Sequence, residues 1–203
     1  RDLVRMVTFA PEIESVDTLL AALRRARIVP AIGHSAATPD QMERAVAGGA
    51  HHVTHLFNAM SGLHHRTRGV AGFALADDRL SCDLICDGVH VHPDIVRMAA
   101  RAKGEGLVLI TDRVALPAVS RSDAGFDAAS LVDDGSAIRR RDGTLAGSCL
   151  TLDRGQRFAS STTATRTHWQ ICCAKRAMAA GACCSCSMAS TAWTATCHRC
   201  ARC

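Results

Sequence analysis

The 203-residue chain has no tyrosine, and Phe, Trp and Tyr together make up 3% of it. No apolar run reaches the length of a membrane span, and no signal-peptide pattern opens the chain, so the sequence gives no sign of a membrane partner or a secretory leader. It has no initiator Met and begins at Arg1, already close to an apolar segment, as a fragment with its upstream part missing would. Acidic residues are absent beyond Asp153, whereas residues 154–203 hold seven of the 24 Lys and Arg. The formal charge of +5 therefore averages two unlike parts, and residues 1–153 carry 17 basic against 19 acidic side chains, a net of −2. The pI of 8.7 is accordingly no argument for nucleic acid binding by the main body. Cysteine is sparse there too. Only Cys82, Cys86 and Cys149 precede residue 154, which suggests a reducing, cytoplasmic setting. The other eight crowd between Cys172 and Cys203.

The length suits one domain with a substantial core. Residues 1–112 alternate strand-like and helix-like segments. "LVRMVTF" reads as a strand, and "SVDTLLAALRRAR" as a helix with Ser15 as N-cap and Val16, Leu19, Leu20 and Leu23 on one face. "IVPAIGHS" is the next strand, and "TPDQMERAVAGG" a helix capped by Thr38, with Pro39 at its first position and a Gly-Gly stop. "AHHVTHLF" reads as a strand followed by a long loop, "RLSCDLICDG" as a strand, "HPDIVRMAARAKG" as a helix, and "GLVLITD" as a strand. Strand ends fall near residues 9, 33, 56, 86 and 111, about 25 residues apart. Such βα units build parallel sheets, either doubly wound or closed as a barrel.

Titratable residues sit at five successive strand ends: Glu12, His34, His55, Asp87 with His90, and Asp112. His34 and His55 are 21 residues apart on separate strands. Adjacent parallel strands lie about 4.8 Å apart, so the two imidazoles can converge on one ion. Hydrogen-bonded structural histidines would show the same spacing. His51 and His52 precede the strand end and are expected to face helices or solvent. Asp112 ends a very apolar strand, where it could act as base and acid beside a metal-activated water or cap a following helix. "CDGVHVHP" offers His90 to a substrate, and His92 beside Pro93 as a helix cap. "NAMSGLHHRTRG" is a loop whose arginines could fork onto a phosphate. "GTLAGS" supplies backbone N–H groups in a Gly-bounded turn. Residues 113–153 read as an inserted hairpin or elaborated loop.

Beyond Asp153 the pattern fails. Cys197-x-x-Cys200 and Cys200-x-x-Cys203, with His168 and His198 nearby, have the outline of a zinc knuckle. The two pairs share one cysteine, however, and no apolar residues are placed to form a small core. Residues 154–203 read as a Cys-, Ala- and Arg-rich tail without a native fold, such as a shifted reading frame would produce.

"VTFAPE", "GHSAAT", "THLFNAM", "DGVHVHP", "LITD" and "GTLAGS", in this order, resemble the N-acetylglucosamine-6-phosphate deacetylases of the amidohydrolase superfamily, from about residue 4 to residue 153. The resemblance implies a partial metal-dependent (β/α)8 TIM-type barrel, with about five βα units present in residues 1–153. It implies hydrolysis of the acetamide of N-acetyl-D-glucosamine 6-phosphate to D-glucosamine 6-phosphate and acetate. By the same resemblance His34 and His55 are ligands of a divalent metal, zinc or else iron, and Asp112 is the catalytic aspartate. Asn58, Ala59, Arg66, His90, Leu145, Ala146 and Gly147 bind substrate, with Arg66 reaching into the neighbouring site of a homodimer. Departures are specific. The family's "LEGP" glutamate ligand has no counterpart here, and Glu12 of "APE" is not a substitute for it. Arg66-Thr67-Arg68-Gly69 stands where Arg-Glu-Pro-Gly is usual, and Arg113 follows Asp112 where a small residue is usual. The alternatives are an inactive partial copy of such an enzyme, or an amidohydrolase acting on another amide or a cyclic ureide. "HLFNAM" with Arg66 argues against the latter by pointing to a phosphosugar.

Overall fold

A computed structural model describes residues 3–114, 131–163, 170–171, 188–189 and 192–193. Five parallel strands lie side by side in chain order: β1 (Met6–Phe9), β2 (Val29–Ile32), β3 (His52–Val53), β4 (Ser81–Ile85) and β5 (Leu107–Ile110). Helices α1 (Val16–Ala26), α2 (Pro39–Ala47), α3 (Gly69–Ala76) and α4 (Pro93–Lys103) fill the crossovers. A strand order that never reverses is that of a barrel wall and not of a doubly wound sheet.

The local signals explain the elements. α1 buries Val16, Leu20 and Leu23 on one face, although the Ser15 side chain makes no cap bond. α2 starts in a full capping box: Gln41 N–H donates to Thr38 Oγ1 and Thr38 N–H to Gln41 Oε1. α4 is capped by His92, whose Nδ1 accepts from Asp94 N–H at 3.2 Å. The core lies between sheet and helices, with Phe9, Ile32, Val53, Cys82, Leu84, Leu107 and Leu109 packed against Leu20, Met42, Phe73 and Val96. The alternate residues of the strands form the other, inner face of the sheet. Thr8, Thr54, Asp83, Val108 and Ile110 lie there and remain partly or fully exposed.

Four sequence expectations need correction. The stretch read as a long loop after β3 contains α3, "GVAGFALA", whose residues Val70 to Leu75 are all buried. Apolar on every side, it shows no amphipathic period. β3 is only His52–Val53, and "THLF" is a turn closed by Asn58 N–H donating to the His55 carbonyl at 2.9 Å. The "GTLAGS" turn contributes a strand, β8 (Leu145–Ser148), which pairs antiparallel with β7 (Ala137–Arg140), itself paired with β6 (Leu131–Asp133). Finally, α5 (Leu152–Thr163) runs straight across residue 153 and packs on α4 and β5. Among the described residues this packing continues to Thr163. β9 (Gln170–Ile171) pairs parallel with β5 as a sixth, very short strand. β10 (Met188–Ala189) and β11 (Ala192–Trp193) pair with each other. The zinc-knuckle cysteines and His168 and His198 lie outside the described residues.

Candidate active site

The turn after β2 carries His34, and the turn after β3 carries His55. Backbone bonds zip the two turns together: Ser35 N–H donates to the Ala59 carbonyl and Ser61 N–H to the Ser35 carbonyl, both at 3.1 Å. This places His34 Nε2 and His55 Nε2 3.0 Å apart, with the rings nearly perpendicular at 77°. Two lone pairs at that separation fit adjacent positions around an ion bound at about 2.0–2.1 Å from each nitrogen. His55 is buried and its Nδ1 has no partner among the described residues. The pair fits as two donors for a divalent ion. Among the described residues no third His, Cys, Asp or Glu joins them.

Backbone strain marks the same residues. Among the described non-glycine residues, six have positive φ: Arg27, His34, His55, Phe57, Ala59 and Asp112. Five of these lie just beyond the C-terminal ends of β2, β3 and β5, and include both histidines (φ 50 and 36) and Asp112 (φ 44). Such conformations concentrate where a side chain must be aimed against the local preference. Asp112 stands exposed just after β5, and no helix cap is formed there among the described residues. Next to it Arg113 Nη1 donates to the Cys149 carbonyl at 2.6 Å, and Val114 N–H donates to the Ser148 carbonyl at 3.0 Å. The unusual Arg113 thus fastens the small antiparallel sheet to the rim beside Asp112. Leu145, Ala146 and Gly147 lie on its strand β8, half-buried.

The sequence placed Asp87 with His90 at a strand end but gave it no role. Its Oδ1 accepts from the N–H groups of Val89 and His90, each at 2.8 Å, and its Oδ2 meets His90 Nδ1 at 2.6 Å. Both side chains are buried, 3% exposed for Asp87 and 7% for His90. Burial pushes the Asp87 carboxyl up, but the bonds from His90 and Val89 outweigh it and hold it below the ordinary range. His90 therefore has Nδ1 committed inward, and its Nε2 has no hydrogen-bond partner among the described residues. The Asp-Gly-x-His spacing was the available signal, since Gly88 (φ 77) turns the chain back within three residues.

Asn58 Nδ2 contacts the carbonyls of His55 and Leu56 at 3.4 and 3.3 Å, and Ala59 is exposed beside it. Arg66 lies in the exposed loop leading to α3, separate from the histidine pair in the chain's path. Glu12 accepts from Ser35 Oγ and Ala36 N–H; partial burial raises its carboxyl, and these bonds bring it below the ordinary range. His52 does not face helices or solvent as expected. It is buried on the inner face, Nδ1 2.7 Å from Ser81 Oγ, with Nε2 3.0 Å from an Asp83 oxygen but out of line for a hydrogen bond.

No family model matches the chain. A curated N-acetylglucosamine-6-phosphate deacetylase of Bacillus subtilis (strain 168) is 40% identical over 156 residues, which cover 76% of this chain and 39% of the relative. An N-acetylgalactosamine-6-phosphate deacetylase of Shewanella sp. (strain ANA-3) is 35% identical over 159 residues, 78% of this chain and 40% of the relative. Among solved structures, the N-acetyl-D-glucosamine-6-phosphate deacetylase of Mycobacterium smegmatis superposes with a TM-score of 0.70 at 37% identity, covering 80% of this chain and 43% of that one. An Asp-to-Ala mutant of it in complex with N-acetyl-D-glucosamine-6-phosphate gives a TM-score of 0.67 at 34% identity, again covering 80% of this chain and 43% of that one. The parallel sheet is thus part of a (β/α)8 barrel of the amidohydrolase superfamily, and the chain spans about two fifths of the length of the curated relatives it matches. Over about three quarters of its own length, the chain is similar in sequence and in fold to N-acetylglucosamine-6-phosphate deacetylases.

Proposed function

We propose that this chain is part of an enzyme that hydrolyses the acetamide of N-acetyl-D-glucosamine 6-phosphate, releasing acetate and D-glucosamine 6-phosphate in amino-sugar catabolism. The observation that carries the reading is the coincidence of positive φ with the converging His34–His55 pair and with Asp112, on a barrel wall shared with deacetylases. A divalent ion, zinc or iron, held by His34 and His55 with a further donor would supply Lewis acidity to the amide carbonyl and the attacking water. Asp112 takes a proton from that water on its carboxylate and returns it to the amide nitrogen as the C–N bond breaks. His90, its ring fixed by Asp87, presents Nε2 to the substrate. Asn58, with its amide nitrogen turned onto its own loop, offers Oδ1 to the sugar phosphate end together with the backbone at Ala59. The Leu145–Gly147 strand lines the sugar. Arg66 forks onto the phosphate, and by the family resemblance it serves the neighbouring site of a homodimer. The three described cysteines are free thiols, as suits the reducing, cytoplasmic setting we propose for the enzyme.

The Shewanella relative favours one second reading, the galactosamine epimer as substrate. Acetate release from both 6-phosphorylated N-acetylhexosamines, by the chain and by a full-length enzyme carrying this segment, separates the two. Full-length enzyme that released acetate from neither would overturn the assignment.

A further inference from the structure

Glu12 follows β1 and reaches across the rim to the turn that carries His34. Its two oxygens have separate tasks: Oε2 accepts from the Ser35 hydroxyl at 2.7 Å, and Oε1 from Ala36 N–H at 2.9 Å. The Ser35 hydroxyl accepts in turn from Ala37 N–H at 3.0 Å. Ser35 is only 3% exposed, and its backbone makes both bonds that join the His34 turn to the loop after β3. Glu12 through its side chain and Ser35 through its backbone thus link three successive rim loops. The residue beside it, His34, holds φ 50, which a non-glycine residue keeps only when its surroundings over-determine it.

We propose that Glu12 is a positioning residue for the histidine pair: through Ser35 and Ala36 it fixes the left-handed turn that aims His34 Nε2 at His55 Nε2. The proposal rests on the reading of that pair as metal donors. It also accounts for a carboxylate at this place that is not itself a ligand. A carboxylate is an acceptor at both oxygens, so it can take a hydroxyl and an N–H at once. A glutamine keeps one acceptor oxygen and turns an NH2 towards the other donor. Both Glu12 oxygens are occupied by the turn, which leaves the ion to the imidazoles.

The test is cobalt(II) binding to the purified 203-residue chain, followed by visible absorption and by competition with zinc. His34→Ala and His55→Ala define the site. Glu12→Ala is expected to weaken cobalt affinity by about 10–100-fold, as loss of a partner that orients a ligand does, and to change the absorption spectrum of what still binds. Glu12→Gln should fall between the two. Asp17→Ala, which breaks the outer ion pair between Asp17 and Arg44, is the control for general loosening and should leave affinity and spectrum unchanged. Far-ultraviolet circular dichroism shows that the compared proteins are equally folded. If the unmodified chain binds cobalt through neither histidine, the metal reading falls and the proposal with it. If it binds through both while Glu12→Ala binds equally well with the same spectrum, the metal reading stands and the proposal is wrong. Equal weakening by Asp17→Ala would also overturn it, since the effect would then be general.

Discussion

Asp112 leaves β5 with φ 44, exposed at the rim, so its carboxylate is delivered by a rigid apolar strand into open space. In a full-length enzyme carrying this segment, Asp112→Asn should keep the shape of the site and its metal content while removing the proton acceptor. Positioned acid–base help is worth roughly 10²–10⁴ in rate, and kcat should fall by at least that order. Steady-state kinetics alongside metal analysis decide it; turnover near that of the parent would remove Asp112 from the chemistry. Arg66→Ala should raise KM for the phosphorylated sugar by one to two decades, the equivalent of about 1.5–3 kcal/mol for a charge-assisted contact. Unphosphorylated N-acetylglucosamine should be affected far less, and equal effects would show that Arg66 does not read the phosphate. Asp87 carries a pH signature. Its folded carboxyl lies below the unfolded value of about 3.9, so the stability it contributes is fully present above that value and is lost as pH falls through the folded one. Denaturant unfolding of the chain between pH 7 and pH 3 should therefore show an acid decline that Asp87→Asn flattens. An unchanged decline would mean that the Asp87–His90 pair adds nothing to it.

At the scale of elements, the sequence showed most of what has a period. The five strands, the helices α1, α2 and α4, the Thr38 cap and the His92 cap were legible because amphipathic faces and cap residues are local signals. α3 was not, since a helix buried on every side has no polar face to alternate with. The short β3 was over-read because apolar residues continue through the turn that carries His55. In the site, the residue types at the strand ends and the convergence open to His34 and His55 were legible; what brings them together was not, because it depends on Ser35 bonding to Ala59 and Ser61 across two loops. α5 was missed for a different reason: its sequence "LDRGQRFASSTT" is mostly polar, and its contacts are specific. Gly155 lies against Leu150 and the Cys86 carbonyl, and the Phe158 ring sits about 3.0 Å from where a Cβ on Gly88 would be. The helix therefore supports the turn that sets Asp87 and His90. Phe158→Ala should destabilise the chain by between about 0.5 and 3 kcal/mol, within the range of single substitutions that open packing. Urea unfolding checks the value. An effect indistinguishable from that of an exposed change such as Arg154→Ala would show that α5 is not docked there.

As a whole molecule, the described sheet is a curved wall covered by helices on one side only. Its inner face presents Thr8, Thr54, Asp83, Val108 and Ile110 partly or fully exposed. Among the described residues, β1 has a neighbour on one side only, β2. The segment leading into and along that edge is apolar and exposed: Leu3 at 87%, Val4 at 50% and Met6 at 42%. An unpaired strand with exposed apolar side chains is a template for another chain, and proteins commonly block such edges with lysine. The 203-residue chain, purified alone, should therefore self-associate in a concentration-dependent way through β1. Met6→Lys places a charge on the edge without touching the core, and it should shift sedimentation velocity profiles towards the monomer while leaving the helical signal in circular dichroism unchanged. The same change away from the edge, Val108→Lys on β5, should have a smaller effect if pairing at the β1 edge drives association. A chain that sediments as one monomeric species at every concentration tested, with Met6 in place, would show that the β1 edge is already covered.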